Sequence, residues 1–103
     1  MIAAIVKYRL PPTISREDCR AHFYKISEDF CGVQGLLSKH FVCDKDGVVA
    51  GGIYFWESAE AATKFYKGPW RDGIFDRYGM YPDIEYLDVF ARTDNVSGQI
   101  DHL

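Results

Sequence analysis

The side chains able to do chemistry in this chain are mostly rings, and they fall in its strand-forming stretches. His40 lies between Lys39 and Phe41 in a β-prone run, and imidazole titrates near neutral pH, which suits a general base. It also reads as a structural histidine held by hydrogen bonds. Tyr8, His40, Tyr54, Trp56, Tyr86 and Asp88 occupy even positions of their expected strands. Strand side chains alternate between faces, so aligned registers would gather these rings and polar tips into one surface for a planar substrate. His22 flanks the apolar stripe of the first helix, at the edge of a core or of a binding surface, and His102 sits in the tail with no role assigned. The histidines show no His-x-x-x-His or matching carboxylate spacing, so no metal site is expected. Asp88, if buried, needs a partner such as Lys7 or Arg9. No glycine-rich phosphate loop, Gly-x-Ser-x-Gly elbow or Cys–His nucleophile pattern is present. These residues alone name no mechanism.

The elements that must position them can be followed along the chain. Residues 2–9 read as a strand ended by Pro11-Pro12. Ser15 caps a helix, with Asp18 completing a capping box, and Cys19, Phe23, Ile26 and Phe30 form its apolar stripe up to a stop at Gly32. Residues 35–43 form a second strand, Asp44 to Gly47 a hairpin turn, and residues 48–56 the returning strand. Gly51 and Gly52 interrupt that last run. Glycines in a strand mark a bulge or a close approach, so they are expected either to make room in a pocket wall or to bend a core strand. Ser58 caps a second helix carrying Ala61, Ala62 and Phe65 and ending at Gly68-Pro69. Residues 70–81 read as an irregular insert with a short helical turn, 84–92 as the final strand and 93–103 as a polar tail.

Bulk properties narrow the classes. A chain of 103 residues is one domain, and 48% hydrophobic residues exclude disorder. Aromatics at 16% favour flat apolar ligands and large buried surfaces. A net charge of −3 without a basic patch argues against nucleic-acid binding. No uncharged run reaches the ~20 residues of a membrane helix, and the N-terminal stretch lacks the basic lead of a signal peptide. Cys19, Cys31 and Cys43 suggest neither a disulfide framework nor a zinc knuckle. They read as small buried thiols of a cytoplasmic protein.

The order β-α-β-β-α-β predicts an α+β fold of the ferredoxin-like type, a four-stranded antiparallel sheet with two helices on one face. Ile5, Leu37, Phe41, Ile53, Phe55, Leu87 and Val89 are assigned to the other face. That face is too apolar for open water, so a homodimer is expected. An amino-acid-binding regulatory module of the ACT type shares this order, but it is usually attached to a catalytic domain. An RNA-recognition module shares it too, yet Asp46 to Gly51 lacks the basic residue and exposed rings that its third strand needs. A non-catalytic small-molecule-binding dimer is the remaining alternative.

Ala50-Gly51-Gly52-Ile53-Tyr54 followed by Ser58-x-x-x-Ala62 resembles the YdhR-type mono-oxygenases, and Asn95 to Ile100 resembles their tail. Trp56-x-Ser58 with Ala61 behind it resembles the strand-to-helix corner of antibiotic-biosynthesis-type mono-oxygenases. The resemblance implies a dimeric α+β barrel with a pocket between sheet and helices in each subunit. It also implies oxidation of a small aromatic, phenol- or polyketide-like molecule by O₂ without flavin, metal or haem. Phe65 stands where the broader family often has a histidine, and Asn95 is the only asparagine, unlike the haem-degrading relatives. On this reading His40 takes the phenol proton, Tyr54 holds the substrate oxygen, and Trp56 stacks on its rings. Phe23, Phe65 and Tyr86 border the cavity, and Trp70 and His22 complete the substrate contacts. No cofactor is called for.

Overall fold

The computed structural model describes residues 1–103. In β1 (Ile2–Arg9), Ala4, Val6 and Tyr8 are buried while Lys7 and Arg9 are exposed. After the two prolines the chain enters α1 (Arg16–Ile26). Its capping box is reciprocal: the Asp18 N–H donates to Ser15 Oγ at 3.0 Å, and the Ser15 N–H donates to Asp18 Oδ2 at 3.1 Å. Two donors left free by the helix start are thereby satisfied. Cys19 and Phe23 are buried, and Ile26 and Phe30 pack against the same core. The stripe holds although α1 tightens into a 3-10 turn at Ser27–Phe30 before Gly32.

Strands β2 (Leu36–Cys43) and β3 (Val49–Trp56) form a hairpin around Asp44. Asp44 Oδ1 accepts the Val48 and Val49 N–H groups at 2.8 and 3.2 Å, and these bonds hold its carboxyl below the ordinary range. Helix α2 (Ala59–Phe65) starts where the Ala61 N–H donates to Ser58 Oγ at 3.1 Å. The stretch expected to be irregular is instead a third helix, α3 (Pro69–Tyr78), with a proline in its first turn and left-handed Gly79 as its stop. Trp70, Ile74 and Tyr78 recur every four residues and all turn to the core. That spacing outweighs the cost of Gly73 inside the helix, about 1 kcal/mol against alanine.

The sheet order is β2-β3-β1-β4, antiparallel throughout, with β4 (Asp83–Asp88) beside β1. This is the expected ferredoxin-like arrangement, with three helices rather than two on its covered face. β4 is shorter than expected. The tail is a second hairpin of β5 (Ala91–Asp94) and β6 (Gln99–His102), whose turn is tied by the Val96 and Ser97 N–H groups donating to Asp94 Oδ1 at 2.9 and 3.3 Å. Asp88 is exposed and needs no ion-pair partner, and Cys31 is exposed where a buried thiol was expected. No helix is long and apolar enough to cross a membrane.

Register decides which side chains share a face. Ala4, Tyr54 and Tyr86 are aligned across β1, β3 and β4 on the helix-covered side. In β2 the parity is opposite: Lys39 pairs with Tyr54, Phe41 with Gly52 and Cys43 with Ala50, whereas His40 pairs with Ile53. His40 therefore stands on the outer face, and Phe41, expected outside, points to the helices. A register shift between Leu36 and Ser38 leaves Leu37 on neither ladder. Ile5, Ile53, Phe55 and Leu87 remain as the apolar part of the outer face.

Gly51 and Gly52 meet different neighbours. A Cβ on Gly51 would run into the carbonyl oxygen of Val6 on β1, which is backbone and cannot swing away. A Cβ on Gly52 would meet Tyr54 Cε1 at 2.8 Å and Lys39 Cε at 3.0 Å. Gly52 thus makes room for two side chains of the protein itself. Gly52→Val is expected to cost about 1–3 kcal/mol by overpacking, with Gly51→Ala at the upper end or beyond. Urea unfolding of both variants measures this, and a fully stable Gly51→Ala would show that β1 and β3 can separate freely.

Candidate functional site

Rings fill the space between sheet and helices. Trp56 is 0% and Tyr54 2% exposed, with Trp56 Nε1 donating to the Tyr66 hydroxyl at 3.0 Å. Phe65 lies 5.3 Å from Trp56 between ring centroids, and Trp70 lies 4.8 Å from Tyr66. Tyr86 joins at the rim through Tyr66, and Phe23 joins from α1 through Phe41. The expected neighbours Tyr54, Trp56, Phe65 and Trp70 are therefore together, with Tyr86 and Phe23 at opposite margins. The cavity they were expected to border is occupied by their own rings. Burial pushes the Tyr54 and Tyr66 phenols up, so both stay protonated.

At the margin of this cluster lies a cation. Lys39 Nζ stands 3.5 Å from the ring centroid of Phe30, 3.9 Å from that of Phe41 and 4.7 Å from that of Tyr54. Ring faces attract a cation, but they return less than the water they displace, and no carboxylate pairs with this amine; the one ion pair of the chain is Arg92–Asp101. Desolvation brings the Lys39 amine down to about 7. It is poised to take or give a proton near neutral pH.

Lys39 separates two open clefts. The larger, of about 720 Å³, runs between α1 and the edge strand β2 and is lined by Arg16, Arg20, Phe23, His40, Phe41 and Cys43 among others. The smaller, of about 350 Å³, lies beyond Lys39 against Phe30, Cys31 and Leu36. A third opening, of about 480 Å³ at Gly35, Ser58 and Phe65, is lined by Glu57, Glu60 and Lys64 and does not reach Lys39. In the larger cleft Cys43 contacts buried Cys19, whose thiol is pushed up to about 11, chiefly by burial. His22 is half-buried beside Phe23, 6.4 Å between rings, and is held below its ordinary range by burial and then by Arg77, Lys25 and Lys39. No three His, Cys, Asp or Glu side chains come together as metal ligands.

Lys39, Arg16, Arg20 and Tyr66 were not singled out from the sequence. Tyr66 follows Phe65 directly, and its place in the α2 pattern was available. Lys39 was concealed by numbering, because even positions align across β1, β3 and β4 but not across the β2–β3 turn. Only the hairpin register puts Lys39 on the ring-bearing face and removes His40 from it.

No protein-family model and no curated protein matches the sequence. Solved structures do match by fold. The Streptomyces coelicolor ActVA-Orf6 monooxygenase, crystallised with nanaomycin D, superposes with a TM-score of 0.66 at 18% identity, over 85% of this chain and 86% of that one. Rv0793 of Mycobacterium tuberculosis gives 0.69 at 15% identity, over 90% and 98%. A Deinococcus radiodurans protein provisionally assigned as an antibiotic-biosynthesis monooxygenase gives 0.66 at 12% identity, over 86% and 92%. The protein shares its ferredoxin-like fold with these structures.

Proposed function

We propose that the protein is a mono-oxygenase of the YdhR type, oxidising a small phenolic substrate with O₂ and no resident cofactor. The observation that carries this reading is the Lys39 amine, near-neutral in its proton affinity and seated on three ring faces between two clefts. An unprotonated amine there takes the phenol proton, and the rings then stabilise the ammonium it becomes. The phenolate is the electron donor to O₂. One oxygen atom replaces a ring hydrogen to give a quinone, and the other leaves as water with the two hydrogens removed, so atoms and electrons balance. Tyr54 is the floor of the Lys39 seat rather than a group in contact with substrate. His40, whose strand position faces outward but which also lines the larger cleft beside Lys39, is the alternative base.

Oxygen uptake with a panel of hydroquinones and anthrones tests the reading, using protein stripped of metals and flavin. Uptake is expected, with His40→Ala within a few-fold of the wild type. A positioned base contributes about 10²–10⁴-fold, so a hundredfold loss in His40→Ala would transfer the role to His40. No uptake across the panel, or uptake lost on stripping, would overturn the proposal.

The same reading includes a homodimer. Ile5, Ile53 and Phe55 are half-buried and Leu87 is 47% exposed on the outer sheet face, and a second copy of that face is its simplest cover. An interface above about 1,200 Å² is expected. Light scattering that found only monomer at micromolar concentration would remove this part.

A further inference from the structure

The larger cleft carries a charge pattern at odds with the chain as a whole. The protein is acidic, with a net charge of −3, yet Arg16, Arg20 and Lys39 line this cleft and no carboxylate does. Its apolar wall is Phe23 and Phe41, with centroids 5.2 Å apart, and the volume of about 720 Å³ suits a bicyclic or tricyclic molecule. Arg16 Nε donates to the backbone oxygen of Asp44 at 3.2 Å, which orients the guanidinium and leaves its terminal nitrogens without a hydrogen-bond or ion-pair partner in the fold. The Asp44 carboxylate feels the Arg16 charge but forms no ion pair with it, its Oδ1 accepting the Val48 and Val49 N–H groups. Arg20 is exposed and makes neither an ion pair nor a side-chain hydrogen bond.

We infer that this cleft binds an aromatic acid, its ring system against Phe23 and Phe41 and its carboxylate at Arg16 and Arg20. A guanidinium presents paired donors that match a carboxylate. The inference deepens the proposed function by naming its substrate class: a hydroxyarene whose acid group is anchored at the α1 end while its phenol faces Lys39. It rests on that reading for the reaction but not for binding.

Calorimetric titration at pH 7 and low salt with 6-hydroxy-2-naphthoate, whose acid and phenol lie at opposite ends, and with uncharged 2-naphthol tests it. The acid is expected to bind about tenfold more tightly than the naphthol. Arg20→Gln should lose about fivefold for the acid alone, and Arg16→Gln/Arg20→Gln together should erase the preference while leaving naphthol binding unchanged. Arg20→Gln keeps the test open should the double variant fold poorly, which circular dichroism would reveal. Equal affinity for the two compounds, a preference left undiminished in Arg20→Gln, or no binding of the acid up to about 1 mM would overturn the inference. Tight, arginine-dependent binding without oxygen uptake would sustain it and sink the oxygenase reading. Turnover of neutral phenols with no preference for acids would do the reverse.

Discussion

Lys39→Met is expected to make the protein more stable at pH 7 and, if the proposed chemistry holds, to slow oxygen uptake by about 10²–10⁴-fold. The stability effect follows from linkage. The amine binds its proton with an affinity near 7 in the folded chain and 10.5 otherwise. Below about 7 both states carry the proton and the group contributes no slope. Between about 7 and 10.5 only the unfolded chain carries it, so wild-type stability rises with pH, by up to about 1.4 kcal/mol per unit. The contribution is fully present above 10.5 and is lost as the pH falls to about 7. Because Lys39 opens on two clefts, water screens part of the penalty, and a total on the order of 2–4 kcal/mol is expected. Urea unfolding from pH 6 to pH 10 should show the two curves converging as the pH rises. Parallel curves would mean that Lys39 is as well solvated folded as unfolded.

Trp56→Ala should cost about 3–5 kcal/mol, the range for removing a fully enclosed indole. Two effects combine. The indole packs on Tyr54, Phe65 and Tyr66, and its N–H is the donor to the buried Tyr66 hydroxyl. Trp56→Phe separates them by keeping a ring while removing the donor, and it should cost less. Circular dichroism, which does not depend on the lost fluorophore, is the measurement to use. A loss under about 2 kcal/mol would mean that the neighbouring rings collapse into the gap.

Much of the frame was legible because it is local. The Ser15–Asp18 box, the Asp44 turn and the Ser58 cap are each set by residues within a few positions, and the apolar period of α1 needs no distant partner. What eluded the sequence is relational. The ring of Tyr54 and the amine of Lys39 share a face only because the turn pairs odd residues of β2 with even residues of β3. No property of residue 39 or 40 by itself says so. Helix α3 was hidden by its glycines, since the four-residue spacing of Trp70, Ile74 and Tyr78 matters only once a sheet lies opposite. The β5–β6 hairpin was hidden by its polarity: it is held by backbone pairing and by Asp94, with little burial to announce it.

The sheet order also bears on how the chain comes off the ribosome. β1 is synthesised before both of its partners but lies inside the sheet, between β3 and β4. Its pairing with β3 waits until residue 56 has been made, and its pairing with β4 waits until residue 88. Until then Ile2 to Val6, an apolar run with no charge, has its backbone edges unpaired. The β2–β3 hairpin closes from nearby residues as soon as β3 is made, so it forms the template on which β1 docks. Non-local pairing of this kind is slow and leaves sticky edges exposed while it waits. The most aggregation-sensitive interval of this fold is therefore the wait for β4, and it belongs to β1.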